Sequence, residues 1–233
     1  MKELVKKYFT KYNLPVSDIQ AEKFEKFFNF LVEENQKFNL TAITEKNEVA
    51  LKHFVDSVLP FMQIPQNAKV IDVGTGGGFP GVPLKIMRED IEIVLLDSLQ
   101  KRVKFLEEVK SLLSFTKTTC VHARAEDYAV ANREKFDIAT SRAVAGVPTL
   151  AEYLLPFVKV GGQAIMYKGL SAKEELQAGE KAITTLGGKI DKVHNFYIDE
   201  IESTRNIVFI KKTCKTPPKY PRGKNLPKTK PIL

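Results

Sequence analysis

The first 60 residues carry apolar side chains at intervals of three and four positions, a pattern that predicts helices. The clearest pattern places four large side chains on one helical face: Phe24, Phe27, Phe28 and Leu31. Ser17 precedes that helix and Gln20 follows three positions later, which predicts a capping box. A second helical pattern covers about residues 45–61. We therefore expect a helical extension at residues 1–64.

The pattern changes at Lys69, where short β-rich runs begin to alternate with helical ones. The predicted strands are KVIDV, IEIVLLD, TTCVHA, FDIATSRA and GQAIMYK. The helical runs between them are PLKIMRE, SLQKRVKFLEEVKSLL, residues 148–157 and SAKEELQAGEKAITTL. In the last run, Ser171 and Glu174 have the spacing of a second capping box. This alternation predicts a doubly wound parallel sheet with its ligand at the carboxyl ends of the strands.

The alternation stops after the last helical run. KIDKVHNFYI and RNIVFIKK are two further strand-like runs, separated only by the polar stretch DEIEST. Parallel neighbours need a connection of about a dozen residues or more, so these two strands should pair antiparallel. The predicted fold class is α/β, a Rossmann-like, doubly wound, mostly parallel sheet of seven strands with an antiparallel last strand. This domain would occupy residues 65–212, with a tail at residues 213–233.

Net positive charge is concentrated near the C-terminus. The chain has 36 Lys and Arg residues against 28 Asp and Glu, a net charge of +8. Residues 211–233 contain no acid and eight basic residues: Lys211, Lys212, Lys215, Lys219, Arg222, Lys224, Lys228 and Lys230. The proline-rich tail should therefore be extended or disordered unless an anion orders it. A nucleic acid is the favoured anion, although many basic tails only increase solubility.

Cysteine content and hydropathy narrow the class of protein. Cys120 and Cys214 are too few for a disulfide framework or a zinc site, so we expect no bound metal. No apolar run approaches the roughly 20 residues that span a bilayer. The start, MKELVKKYFTKY, lacks the apolar stretch of a secretory signal. We expect a cytoplasmic protein without membrane contact, and nothing in the chain requires more than a monomer.

A glycine-rich loop, GTGGGFPG at residues 74–81, follows the first predicted strand. It contains a literal GxGxxG, but Pro80 and Pro83 remove backbone donors that a pyrophosphate would need. Asp72, in the end of the strand, would repel a diphosphate and suits a cationic ligand. No GK[ST] follows, which excludes a P-loop for phosphate binding. The loop therefore favours a ligand that carries positive charge and no phosphate.

The spacing of the loop resembles the first motif of the S-adenosylmethionine-dependent methyltransferases. That motif is matched by Asp72, Gly74, Gly76 and Gly78, and its glycines let the backbone lie against the cofactor. Asp97 ends the second strand 19 residues beyond Gly78, near the roughly 20 expected for an acid that accepts hydrogen bonds from ribose hydroxyls. A helix N-cap is the structural alternative for Asp97, and both roles are compatible.

Further motifs point to one family. NLTAI at residues 39–43 and KHFVDS at residues 52–57 precede the loop, and GFPGVPL, LLDSLQKRVKFL, RAED and SRAV follow it in that order. Together they resemble the ribosomal small-subunit methyltransferase G family, also called glucose-inhibited division protein B, of the class I S-adenosylmethionine-dependent methyltransferases. The resemblance runs from about Phe38 to Lys168, and the basic tail agrees with it.

The resemblance implies methyl transfer from S-adenosylmethionine to the seventh ring nitrogen of one guanine in 16S ribosomal RNA, in the 530 loop of the decoding region. The RNA would be read in the small ribosomal subunit or in an assembly intermediate. Amine and pyrimidine-carbon methylation lose support, because Ser141, Arg142 and Ala143 replace an Asn/Asp-Pro-Pro-aromatic motif and neither cysteine follows a proline. Two alternatives stay open: a methyltransferase acting on another RNA, and a non-catalytic RNA-binding assembly factor.

Methylation at this nitrogen needs no general base, because the atom carries a free lone pair and no proton. Positioning alone supplies up to about 7–11 kcal/mol in well-oriented systems.

His53 lies three positions before Asp56, on one helical face, and this spacing favours a structural pair over a catalytic base. Asn39 and Thr41 are more typical of loop and cap residues than of ligands. We therefore expect no essential proton-transfer residue.

The remaining cofactor contacts implied by the resemblance are Phe79, Ser98, Leu99, Ala125, Glu126 and Arg142. Ala125 and Glu126 follow the third strand, where this fold lines an adenine. Arg142 would border the cofactor pocket and could also meet the RNA, and a structural ion pair is its alternative role. For Lys168, at the end of the fifth strand, RNA contact and a solvated charge are equally open.

In the tail we assign RNA contacts to Lys219, Arg222 and Lys224. If about four of the eight charges bind RNA, the log-log salt slope of RNA affinity should be near −3, using about 0.7 per phosphate for single strands. Deletion of residues 213–233 should then flatten that slope and leave cofactor affinity unchanged.

Overall fold

The chain folds around one sheet. The structure is a computed structural model that describes residues 1–142 and 144–233, so Ala143 of the SRAV motif lies outside the described residues. The strands are β1 Lys69–Val73, β2 Glu92–Asp97, β3 Thr118–His122, β4 Phe136–Arg142, β5 Val158–Lys168, β6 Gly188–Ile198 and β7 Ser203–Lys212. Their order across the sheet is β3-β2-β1-β4-β5-β7-β6.

The direction of the strands confirms the predicted fold class. β1 to β5 pair in parallel, and β7 runs antiparallel to both β5 and β6. β1 lies between β2 and β4 and is buried from Val70 to Val73, which accounts for its nearly continuous apolar sequence. The parallel arrangement places the carboxyl ends of β1, β2 and β4 at one edge of the sheet, where the glycine loop begins.

Ten helices surround the sheet in the described part of the chain. They are α1 Lys2–Lys11, α2 Asp18–Phe38, α3 Lys46–Glu48, α4 Asp56–Val58, α5 Gly81–Met87, α6 Gln100–Leu112, α7 Ala125–Asn132, α8 Val147–Leu154, α9 Ala172–Thr185 and α10 Leu226–Thr229. A π-helical segment, Val49–Val55, joins α3 to α4 in one continuous helix. The sequence pattern did not predict α7 or α10. None of these described helices is long and apolar enough to cross a membrane.

The N-terminal helices pack against the glycine-loop side of the sheet through aromatic side chains. The Phe27 ring of α2 lies 5.4 Å from the Phe79 ring of the loop and 5.9 Å from the Phe54 ring. Phe24, Phe27 and Phe54 are fully buried. Burying a side chain of this size contributes about 1.5–3 kcal/mol. The helical extension therefore supports the floor of the loop.

Only one of the two predicted capping boxes forms. At the start of α2, the Ser17 hydroxyl accepts from the Gln20 backbone N–H at 3.2 Å, and the Gln20 side chain accepts from the Ser17 N–H at 2.9 Å. Ser171, before α9, makes no capping hydrogen bond, and its hydroxyl donates to Glu175 instead. Its backbone (φ −78°, ψ 13°) lacks the extended conformation that an N-cap needs.

The basic tail is ordered against the domain, which corrects the expectation of a disordered segment. The Arg222 side chain pairs with the fully buried Glu152 of α8 at 2.6 Å, and its backbone N–H donates to the same carboxylate at 2.7 Å. Arg133 donates to the Thr216 carbonyl at 2.7 Å. Lys212 is buried, which lowers its pKa to about 8. The buried Glu152 carboxylate thus supplies an anionic partner for the tail, and Arg133 of the domain binds the tail backbone.

Candidate functional site

The glycine loop needs its glycines for backbone conformation and for space. Gly74 (φ +71°), Gly76 (φ +60°) and Gly78 (φ +93°) all lie in the left-handed region. A Cβ on Gly74 would lie 2.6 Å from a Val144 methyl, and one on Gly78 would lie 2.7 Å from a Val82 methyl. The loop therefore exposes bare backbone to the space above it, as the sequence predicted for a close ligand.

Asp72 lies behind this loop. Its carboxylate is fully buried and accepts from the Gly81 N–H at 2.8 Å. Burial raises the pKa of Asp72 to about 7. Asp72 lines none of the cavities described below, and it fixes the loop to the start of α5. Its contribution to a cofactor is therefore indirect, through the backbone that it holds.

Asp97, at the carboxyl end of β2, connects the loop to α6. One carboxylate oxygen accepts from the Gly76 N–H at 2.9 Å, and the other accepts from the Leu99 N–H at 2.9 Å, one residue before α6 begins. Arg102 of α6 lies 3.4 Å from the first oxygen. The oxygen that accepts from Leu99 has a second lone pair, so the carboxylate can still accept from a ligand hydroxyl.

Two cavities meet at Asp97. The first, of about 330 Å³, extends from Val73 past Ser98, Ala125 and Glu126 to Tyr153. The second, of about 500 Å³, lies above the loop and is lined by Thr41, His53, Gly76, Phe79, Arg102 and Arg142. Gly74, Asp97, Ser98, Val144 and Lys228 line both. The structure thus brings together most of the predicted cofactor residues, although Asp72, Gly78 and Leu99 line neither cavity.

The paired cavities fit the cofactor that the sequence predicts. One holds a buried acid, Glu126, oriented by the Arg124 side chain at 2.8 Å, beside the small residue Ala125. Asp97, at the junction, can accept from a ribose hydroxyl. The other cavity offers bare loop backbone and cationic side chains suited to an amino-acid carboxylate. S-adenosylmethionine needs this series of adenine, ribose and amino-acid subsites.

Arg142 connects the loop cavity to the KHFVDS helix. Its guanidinium donates to the Lys52 carbonyl at 3.0 Å, to the Asp56 carboxylate at 2.9 Å and to Nδ1 of His53 at 3.0 Å. It also lies over the Phe79 ring, 4.9 Å from its centre. Arg142 therefore makes the structural ion pair considered as an alternative, and it lines the predicted cofactor cavity as well.

His53 is held neutral. Because Arg142 can only donate, Nδ1 of His53 must accept, and the ring proton is on Nε2, 2.8 Å from the Thr41 hydroxyl. Burial, and then the charge of Arg142, lowers the pKa of His53 to about 3. The expected direct pair with Asp56 is wrong, because Arg142 stands between the two side chains. The Thr41 hydroxyl accepts a hydrogen bond from the imidazole, a contact that its position in a loop did not predict.

A third and larger cleft, of about 600 Å³, adjoins the loop cavity at His53, Arg142 and Val144; we call it the open cleft. Its other charged residues are Lys52, Asp56, Lys168, Glu175 and Arg205. Lys168 is nearly buried and donates to the Ala145 carbonyl at 2.6 Å and to Glu175 at 2.8 Å. Lys168 is therefore a paired charge that shapes the cleft and not a solvated one.

The three tail residues predicted to contact RNA differ in their surroundings. Arg222 is held by Glu152, whereas Lys219 and Lys224 are exposed. Asn225 and Lys228 line the cavities but were not among the predicted residues. Arg102, Tyr153 and Arg205 were not predicted either. Only Arg102 had a local signal, because it lies on the helix that follows Asp97.

A Rossmann-like sheet with a glycine loop after β1 and an acid at the end of β2 is an arrangement that class I methyltransferases share with dinucleotide-binding enzymes. Two solved methyltransferases have this fold. Precorrin-6y C5,15-methyltransferase from Geobacter metallireducens is 12% identical, with a TM-score of 0.54 over 77% of this chain and 96% of that chain. A SAM-dependent O-methyltransferase from Thermotoga maritima is 14% identical, with a TM-score of 0.52 over 80% of this chain and 72% of that one.

Sequence comparison identifies the family. A family model described as rRNA small subunit methyltransferase G matches residues 20–208. Proteins named ribosomal RNA small subunit methyltransferase G are 47% identical in Desulforamulus reducens, over 93% of this chain and 92% of the relative, and 47% identical in Desulfitobacterium hafniense, over 95% and 93%. The chain belongs to this family. It is an S-adenosylmethionine-dependent methyltransferase whose substrate is ribosomal RNA.

Proposed function

We propose that this enzyme methylates the seventh ring nitrogen of a guanine in the 530 loop of 16S ribosomal RNA. The observation that carries the proposal is the state of His53, the imidazole between the loop cavity and the open cleft. Its Nδ1 lone pair is occupied by Arg142, and its pKa of about 3 keeps it neutral. A site without a free base at this position suits an acceptor atom that has no proton to lose.

The open cleft is the best candidate for the acceptor base. It is large enough for a nucleobase and adjoins the loop cavity at three residues, His53, Arg142 and Val144. S-adenosylmethionine supplies an activated methyl group on a sulfonium. Attack by a ring nitrogen would form a bond to the methyl carbon, break its bond to sulfur, release the neutral thioether and leave positive charge on the base. Asp56 and Glu175 line the cleft, but each is already paired with a basic side chain, so methyl transfer there would depend mainly on positioning of the base.

The cysteines support no covalent alternative. Burial raises the pKa of Cys120 to about 12, so its thiol stays protonated in β3. Cys214 is exposed in the tail. Neither lines the open cleft or the two cavities of the cofactor. A pyrimidine-carbon methyltransferase needs a thiolate nucleophile beside its acceptor, and the described residues do not offer one there.

The basic residues around the open cleft favour a structured RNA as substrate. Lys52 and Arg205 line it from two different elements, and Lys219 and Lys224 add exposed charge in the tail. We propose that the RNA is read in the small ribosomal subunit or an assembly intermediate, by a monomer acting in the cytoplasm. Each basic contact with a phosphate adds affinity that depends on salt.

The experiment that tests this function uses methyl-labelled S-adenosylmethionine with small ribosomal subunits, or their stripped RNA, from a strain that lacks this gene. Borohydride and aniline then cleave the RNA at guanines methylated on the seventh nitrogen. A single labelled guanine in the 530 loop is the expected result. Label at another nucleotide, or no transfer despite cofactor binding, would overturn the proposed acceptor.

A further inference from the structure

The C-terminal tail reaches the cofactor cavities because several contacts fix it there. Arg222 and Glu152 anchor its middle. Beyond them, Arg124 donates to the Asn225 side chain at 3.0 Å, and the Thr149 hydroxyl donates to the Pro227 carbonyl at 2.9 Å. Pro227 is buried. These contacts hold residues 225–228 beside the carboxyl ends of β2 and β3.

Lys228 is the tail residue with the most informative position. It lines both cofactor cavities, together with Gly74, Asp97, Ser98 and Val144. No side-chain or backbone oxygen of a described residue accepts a hydrogen bond from its ammonium. A cation at the edge of a ligand cavity without a protein partner is available to a ligand.

The charges of the loop cavity also point to an anionic group. Arg102, Arg142 and Lys228 line it, and Asp97 is the single acid among its described lining residues. Arg142 pairs with Asp56, which lies outside the cavity and also pairs with Arg205, and His53 is neutral. One positive charge remains without a counterion. The single anionic group of S-adenosylmethionine is the α-carboxylate of its amino-acid part.

We propose that the tail is part of the cofactor site and that Lys228 binds the α-carboxylate of S-adenosylmethionine. Asn225 and Lys228 of the tail would then form part of the lining of the bound cofactor. Tail removal should then weaken cofactor binding, which reverses the expectation drawn from the sequence. Cofactor binding needs no RNA, so this role is independent of which nucleotide accepts the methyl group.

The test measures binding by isothermal titration calorimetry with two ligands. S-adenosylhomocysteine has the carboxylate, and 5′-methylthioadenosine has the same adenosine and thioether without it. Lys228→Ala should raise the Kd of S-adenosylhomocysteine about two- to fivefold, as expected for a solvent-accessible ion pair. The Kd of 5′-methylthioadenosine should stay unchanged. Lys230→Ala, an exposed lysine two residues further on, is the matched control and should change neither value.

Two outcomes would overturn the assignment of Lys228: an unchanged Kd for S-adenosylhomocysteine, or an equal loss for both ligands. A second variant that ends at Arg222 tests whether the tail forms part of the cofactor site, because it keeps the pair with Glu152 and removes residues 223–233. This truncation should raise the Kd of both ligands, and an unchanged Kd for both would show that the tail is no part of the site. Thermal denaturation of each variant confirms that the domain remains folded.

Discussion

Arg142 donates a hydrogen bond to Nδ1 of His53 over 3.0 Å, and this contact determines which histidine nitrogen carries the proton. The other nitrogen then donates to Thr41. Three motifs that are far apart in sequence, NLTAI, KHFVDS and SRAV, meet at this imidazole. The ring also stacks on Phe79, with the ring centres 4.3 Å apart. The arrangement positions Arg142 at the boundary between the cofactor cavity and the open cleft.

The first prediction concerns the pH dependence of the free energy of unfolding. The folded-state pKa of His53, about 3, lies below the unfolded value near 6.5, so the native state binds fewer protons. The stability from this group is present above pH 6.5 and is lost as pH falls toward 3. At pH 5 the loss is about 2 kcal/mol. His53→Gln retains both hydrogen-bonding functions without titrating, so its unfolding free energy should fall less between pH 7.5 and pH 5 in urea melts. Parallel pH dependence in both proteins would contradict a neutral, buried His53.

The second prediction concerns the glycine loop. Gly74→Ala places a Cβ 2.6 Å from Val144 at a backbone φ of +71°. The loop must then shift, and the affinity for S-adenosylhomocysteine should fall more than about tenfold, a loss above roughly 1.4 kcal/mol. Gly169→Ala is the control, since a Cβ there would meet nothing within 4 Å. Retention of cofactor affinity in Gly74→Ala would show that the loop is not the binding element.

The strands of the sheet could be predicted from the sequence, because their signals are local. The sequence predicted β1 with its observed bounds, and from the short connection DEIEST it predicted the antiparallel pairing of the last two strands. It missed α7, whose eight residues have almost no amphipathic pattern, and α10, which begins Leu-Pro within the tail. The Ser171 capping box failed because spacing does not report backbone conformation.

Some site residues could also be predicted from local motifs, and others could not. Gly74, Asp97 and Arg142 lie within contiguous motifs and could be identified from spacing. Lys228 is 131 residues from Asp97 in sequence, and they meet only because the tail folds back. The disorder expected of the tail rested on its composition, and composition does not show that buried Glu152 provides a partner for Arg222. Long-range ion pairs of this kind leave no local pattern.

The third prediction tests that ion pair. Arg222→Ala leaves the fully buried Glu152 carboxylate without its partner, so the free energy of unfolding should fall by about 3 kcal/mol, the low end for breaking a buried pair because Arg222 is partly exposed. Lys224→Ala, exposed in the same segment, should change it by less than about 0.5 kcal/mol. Urea denaturation measures both. Equal stability of the two variants would mean that the tail does not depend on this anchor.

The fourth prediction separates the open cleft from the cofactor cavities. Lys168→Met removes the bonds to Ala145 and Glu175 that shape the cleft, and Lys168 lines neither cofactor cavity. Methyl transfer to small subunits should fall about ten- to a hundredfold through misplacement of the acceptor, with the Kd of S-adenosylhomocysteine unchanged. Lys173→Ala, exposed on α9, serves as the control. A parallel loss of cofactor affinity would argue that the cleft belongs to the cofactor site.

The last prediction asks which part of the tail binds RNA. With Arg222 occupied by Glu152 and Lys228 at the cofactor cavities, the exposed Lys219 and Lys224 are the remaining residues of the predicted set. Replacing both with Ala should reduce the log-log salt slope of RNA affinity by about 1.4, at roughly 0.7 per phosphate contact.

The fold offers a control with the same change in net charge. Lys117 and Lys135 are exposed and immediately precede β3 and β4, at the opposite edge of the sheet. Their double Ala variant should leave the slope unchanged. An equal change in both variants would indicate that only net charge matters, and that the tail has no specific contact with the RNA.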